Sequence, residues 1–347
     1  MSPSTPFVMY EPLGFRTDYE TPSDYDGELS MGAASGYPSL VLPDDAEATI
    51  TQVGSATLTI FEQSRLVTVN DNKGNRFEVV DTADNTVVVN EFVSSRAPIN
   101  QGTQRLITIG DIRVTDALTI DIETNEAELS HVFGEIPVAM PNADPRKINL
   151  ASGVSAFISF SEALRNACKI VLGVDSEEFI VGHQRKNAKH HEMKTARLFI
   201  ADAHANGAGY SVQIGKPEEF TRILDEIEKS FEANWLSDGH SACSTSCPDC
   251  IRSFNNRHLH PMLDWRLALD LTSAIRGRQL RSDVWKPFSK KIVSDIIENG
   301  LLGINLIYAE KSGWPALISE QTRKAVIFVH PLDRKSTRLN SSHSDRS

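Results

Sequence analysis

Residues 243–271 read CSTSCPDCIRSFNNRHLHPMLDWRLALDL, and the organisation of the chain is best read outward from them. Of four cysteines in 347 residues, three stand here, at Cys243, Cys247 and Cys250. The spacing C-x3-C-x2-C bends the chain through one tight turn, with Pro248 and Asp249 shaping its second half. The polar spacer Ser244-Thr245-Ser246 argues against three small residues that merely line a core. Thiolates select zinc or an iron–sulfur cluster, and structural zinc takes four ligands in a tetrahedron. One ligand is still missing. We take His260 for it, because C-x9-H gives the chain room to return just before a helix that would pin it. His240 and His258 are the alternatives. No H-E-x-x-H motif is present to suggest a catalytic zinc. The ion is therefore expected to be structural, knitting a turn that has little apolar surface of its own.

On the C-terminal side, Leu263, Leu267, Leu271 and Ala274 form the main stripe of a segment that is apolar on most sides, which predicts a helix packed inside protein. A helix near 284–298 and a strand over 325–331 follow. On the N-terminal side, Pro217 opens a helix with Phe220, Ile223, Leu224, Ile227 and Phe231 on one face. Its DEIE (225–228) imitates a nucleotide-hydrolysis box, but Ile227 belongs to the apolar face, so the carboxylates read as surface acid. The strand ARLFIAD (196–202) precedes it through the turn AHANGAGY, where Gly207 and Gly209 suit positive φ. Amides at such a turn can also take a phosphate. Ser159 and Glu162 have the spacing of a capping box. Leu164, Ala167, Cys168, Val171 and Leu172 then recur at helical period as far as Gly173. Cys168 reads as a core thiol, and GHQRKNAKHHEMK (182–194) as a polar loop.

The front of the chain has another rhythm. ATLTIF (56–61), RLVTVN (65–70), RFEVV (76–80), TVVVNEF (86–92) and RLITI (105–109) are short β-branched runs parted by turn residues. NDNKGN (70–75) has the chemistry of a hairpin loop. The fold class expected is α+β, with a β-rich N-terminal half and a mixed helix and strand C-terminal half carrying a zinc knuckle. Residues 1–45 form an extended arm, 46–150 the β-rich region and 151–333 an α/β zinc-binding domain. The last residues, 334–347, read as a translated adapter sequence outside the fold, in a chain cut from a longer protein.

The net charge of −11 is uneven. Residues 1–150 hold nine Lys and Arg against 23 Asp and Glu, a net of −14, and the remainder carries +3. That front half excludes a chain that coats nucleic acid along its whole surface, while the cysteine side can still touch phosphate locally. The candidates are Arg185, Lys186 and Lys189 in the basic loop, and Arg252 and Arg257 beside the cysteines. No run of 18 apolar residues occurs, so no membrane partner is expected. The N-terminus has no secretory signal pattern, and a clustered thiol set suits the reducing cytoplasm, where we place the protein.

The cysteine stretch resembles the zinc-binding domain at the C-terminus of MrfA-type DNA helicases, which also occurs in the DrmB component of the DISARM anti-phage system. The pattern is carried by Cys243, Cys247, Cys250, Ile251, Arg252, Phe254, Asn256, His260, Leu263, Asp264, Trp265 and Arg266. FIADAHANGAGY (199–210), VTDALTIDI (114–122) and residues 159–182 are similar to neighbouring parts of that domain, while DWRLALD and EPLGFRTDY lean toward DrmB. Relatives carry C-x-C before the knuckle where this chain has Ala242-Cys243, so the fourth ligand stays open among the three histidines. The resemblance implies a zinc-dependent, non-catalytic accessory subunit that supports DNA binding and assembles with a helicase subunit of DrmA type. The alternative of the same class is the C-terminal accessory portion of a DNA-repair helicase. The absence of G-x-x-x-x-G-K-[ST] agrees that any motor lies elsewhere. A different class of reading is a metal-dependent nuclease or hydrolase built around Asp202, His204 and the knuckle.

Overall fold

The computed structural model describes residues 9–10, 38–42, 48–70, 77–81, 86–88, 104–122, 151–186, 195–300 and 305–332. Most of the expected arm, the hairpin loop beyond Asn70, Lys189 and the tail 334–347 lie outside these residues. The architecture is α+β. Nine strands form one sheet: β1 (Met9–Tyr10), β2 (Pro38–Val41), β3 (Thr49–Val53), β4 (Ala56–Asn70), β5 (Phe77–Asp81), β6 (Thr86–Val88), β7 (Gln104–Ile122), β8 (Phe179–Lys186) and β9 (Thr195–Asp202). All pairings are antiparallel except that of β1 with β7.

The backbone of the sheet is the long pair β4–β7, which differs from the short separate strands expected. The runs 56–61 and 65–70 are one strand, because the polar residues between them form a bulge and not a turn. Gln63 takes φ 56° there, and its N–H donates to Asp116 Oδ1 at 3.3 Å. Likewise the polar segment that opens with Gly182 is not loop throughout. Residues 182–186 continue β8, paired with β9 from Gly182↔Phe199 to Lys186↔Thr195. The other side of β9 pairs with β7 from Ala117↔Ala201 to Asp121↔Arg197, so the sheet runs across residue 150. Arg197 clamps Asp121 there through two hydrogen bonds of 2.8 Å.

One face of the sheet is covered by α1 (Ala151–Leu172). Phe157, Phe160, Ala163, Leu164, Ala167 and Cys168 share a buried cluster with Leu58, Ile60, Leu118, Ile120, Leu198 and Ile200. The opposite face carries a smaller cluster of Leu40, Leu66, Ala117, Phe199 and Ala201. The helix begins well before the expected capping box, because Val154, Ala156 and Phe157 already bury against the core. Ser159 and Glu162 consequently lie within the helix, free to bond sideways. Gly173 ends it in the left-handed region, with its N–H and that of Val174 returning to Lys169 O.

After β9 come α2 (Tyr210–Ile214) and α3 (Pro217–Glu226), which runs through a π turn at Ile227–Phe231 into α4 (Glu232–Trp235). Phe220, Ile223, Leu224 and Ile227 are fully buried, as their spacing predicts. The DEIE carboxylates of Asp225 and Glu228 pair with Arg276 and Arg278. Next come α5 (Trp265–Ile275) and α6 (Ser282–Glu298). The β3–β4 turn closes on the end of α5: Ser55 N–H donates to Ile275 O at 2.7 Å and Ser55 Oγ to Ala274 O at 2.6 Å. A Cβ at Gly54 would stand 2.0 Å from Ile275 O, so only glycine fits that approach. A second sheet of β10 (Ile307–Lys311), β11 (Trp314–Ser319) and β12 (Lys324–Ile327) closes the described chain.

Candidate metal centre

The chain between α4 and α5 has little regular structure, and polar contacts set its shape. A short 3-10 turn, Asp238–His240, delivers His240 into a buried position against Trp235 and Trp265. Its ring meets Trp265 edge-on with centroids 5.7 Å apart. His240 Nδ1 lies 2.8 Å from Trp235 O, a contact that only an Nδ1–H donor can make. In the neutral ring that a metal ligand requires, Nε2 is then the lone-pair nitrogen, and it lies 3.2 Å from Cys247 Sγ. Ligand atoms of His240, Cys243, Cys247 and Cys250 all lie within 4.8 Å of one another. Around a tetrahedral zinc such atoms stand roughly 3.5–3.8 Å apart, so a small contraction closes the set on an ion.

The knuckle is formed by local bonds: Cys247 N–H donates to Cys250 Sγ at 3.0 Å, and Cys247 O accepts from the N–H groups of Cys250 and Arg252. Burial pushes the Cys250 thiol up to about 11, and burial together with the neighbouring thiols raises Cys243 further. A divalent cation reverses that balance by stabilising thiolate. Three cysteines and one imidazole whose Nε2 faces them are a donor set that fits structural zinc, with all four positions filled by protein.

His260 is not brought to this group. The 3-10 helix Arg257–Met262 turns its Nε2 toward Ser253 O and Asn256 Oδ1, both at 3.1 Å. The histidine that the structure places beside the three cysteines is His240, the alternative, and not His260. A signal for this was present in the sequence: His240-x2-Cys243 repeats the interval of Cys247-x2-Cys250. The side chain of His258 lies outside the described residues, as do those of Arg185 and Lys186 on β8. Arg252 sits beside the knuckle, its Nε donating to Ser246 Oγ at 2.8 Å, and Arg257 is exposed.

The helix α1 holds the loop down with the residues first read as a cap. Ser159 Oγ accepts the N–H of Asp264 at 2.9 Å, and Glu162 Oε2 accepts from Asn256 Nδ2 at 2.7 Å. Asn166 Nδ2 donates to Cys250 O at 3.3 Å. From the other side Arg266 donates to Ser244 O at 2.7 Å, while its guanidinium lies 3.9 Å from the Phe288 ring centroid and 4.5 Å from that of Trp265. The cysteine turn is thereby bolted to α1, α5 and α6.

Asp202 is fully buried, and both carboxylate oxygens are engaged. Oδ2 accepts from Ala208 N–H and Tyr210 N–H at 2.7 and 3.1 Å; Oδ1 accepts from Ser211 N–H at 2.8 Å and from Ser211 Oγ. The amides that a phosphate would need are occupied by this internal anion. His204 is exposed and pairs with Glu178 at 3.4 Å.

Residues 160–251 match the family described as MZB, the MrfA Zn-binding domain. That segment contains His240, Cys243, Cys247 and Cys250 and stops short of His260. The Druantia protein DruE of Escherichia coli (strain UMEA 4076-1) is 32% identical over 118 residues, which are 33% of this chain and 6% of DruE. A crystal structure of the DUF1998 helicase MrfA bound to DNA aligns at a TM-score of 0.38 and 12% identity, covering 70% of this chain and 25% of the helicase. The chain therefore spans a small part of the relatives that it matches.

Proposed function

We propose that this chain, whose residues 160–251 match the MrfA Zn-binding domain, is a non-catalytic accessory module that supports DNA binding and assembly with a helicase in anti-phage defence. The observation that carries the reading is the four-donor group of His240, Cys243, Cys247 and Cys250 inside the matched segment. Zinc in this closed site supplies a rigid crosslink and no reacting water. The chain's own residues do the rest: Trp235 O fixes the tautomer of His240, and α1 and Arg266 orient the loop. The loop's exposed side chains are then presented to DNA. The anti-phage setting rests on the resemblance of the cysteine loop to DrmB, with the DruE segment in support.

A second reading, the accessory portion of a repair helicase, rests on the match of residues 160–251 to the MrfA Zn-binding domain. The nuclease reading loses support because the carboxylate of Asp202 is spent on backbone amides.

The test is elemental analysis of the purified chain beside a labelled-DNA binding assay, both repeated after chelation. One zinc per chain is expected, with DNA affinity falling when the metal is removed. His240→Ala should strip zinc, and His260→Ala should retain it. Metal-dependent DNA cleavage that disappears in Asp202→Ala would overturn the accessory reading.

A further inference from the structure

We infer that Phe254 is a stacking platform for an unpaired nucleobase, presented by the turn that follows the metal knuckle. This rests on the DNA-binding reading above and assigns that surface a ligand class, single-stranded nucleic acid.

Phe254 is 78% exposed, the most open large hydrophobic side chain among the described residues. A single exposed ring is ordinary on a protein surface, and what distinguishes this one is the rigidly built backbone beneath it and the cation beside it. Asn256, almost fully buried, accepts from Ser253 N–H at 2.8 Å and donates from Nδ2 to Ile251 O at 2.9 Å as well as to Glu162. His260 braces the same turn through Ser253 O and Asn256 Oδ1. Asn255 Nδ2 ties it to Glu177 Oε1 at 2.8 Å. The turn is thus preorganised with its aromatic residue pointing away from the core, which reduces the ordering cost of binding.

The surroundings select the ligand. The Arg257 guanidinium carbon lies 4.8 Å from the Phe254 ring centroid, over one face of the ring. A ring has two faces, and the high exposure leaves the other for a flat π system. From Ile251 to Leu263 the chain has no carboxylate of its own, while it carries Arg252, Arg257, His258 and His260; of the carboxylates that reach the turn from neighbouring elements, Glu162 is paired with Arg165 and Glu177 accepts from Asn255. A base stacked on Phe254 would bring its phosphate into this basic segment, in a chain whose negative charge is concentrated in residues 1–150. An apolar protein partner would gain nothing from that charge.

The experiment uses the full, zinc-loaded chain with fluorescent oligothymidine and a blunt duplex, read by anisotropy. Phe254→Ala should weaken oligothymidine binding on the order of tenfold, given the usual loss per stacked base. Duplex affinity and zinc content should stay unchanged, and Phe254→Tyr should restore single-strand binding. Should Phe254→Ala lose its zinc, Phe254→Leu decides, since it keeps apolar bulk and removes the π face. Single-strand affinity equal to wild type in a zinc-replete Ala or Leu variant overturns the stacking role and leaves the DNA-binding reading intact. A wild-type chain that binds neither DNA overturns both.

Discussion

The sheet layer and the cysteine loop are held by opposite means. Between α1 and the sheet, stabilisation comes from contiguous apolar area: Phe157, Phe160, Leu164, Leu118, Ile120 and Ile200 are almost wholly removed from water. Between Asp238 and Asp264 the buried apolar side chains reduce to Cys250, Ile251 and Leu263, and the path of the chain is fixed by hydrogen bonds and four metal-binding donors. The difference teaches that one chain can contain a region ordered by its apolar core and another ordered by polar contacts around a candidate metal centre.

Three experiments sharpen or break that contrast, from the largest expected effect down. Chelation, or Cys247→Ala, should release the loop: amides of residues 243–262 should exchange rapidly while those of β4, β7 and β9 stay protected. Structural zinc binding in small domains has an apparent free energy of about 10–16 kcal/mol, so no other change to the loop should match it. Equal loss of protection in the sheet would break the contrast. Phe160→Ala should act on the other region, costing about 3–5 kcal/mol in a denaturant titration. Zinc per folded chain should not change. Asn256→Ala should be milder, about 1–3 kcal/mol, because Glu162 loses a buried donor. Its signature is faster exchange confined to residues 253–260, with the ion retained.

The apolar periodicities were legible in the sequence because burial writes them there. Leu164 to Leu172, and Phe220 to Ile227, form the faces that their spacing predicts. Ser159 and Glu162 misled because a cap and a lateral anchor use the same side chains; only the packing of Ala156 and Phe157 shows that the helix had already begun. The bulge at Gln63 looked like a break because its polar residues are those of a turn, and pairing with Asp116 is a tertiary fact. The β10–β11 hairpin was missed, although Ser312-Gly313 at φ 52° and 74° is a usual two-residue turn. Of the metal centre, the cysteines were plain and the histidine was not. Local spacing could not reveal that Asn256 and the carbonyl of Ser253 would claim His260.

The pairing of β7 with β9 has a practical consequence for anyone trimming the chain. A piece cut to the matched span 160–251, or begun at residue 151, leaves β4 and β7 behind and strips β9 of its neighbour on that side. The apolar row Leu198 and Ile200 would then line a raw sheet border, ready to recruit other copies. Such a piece should precipitate however much metal is supplied, whereas one that keeps residues 48–122 should remain dispersed.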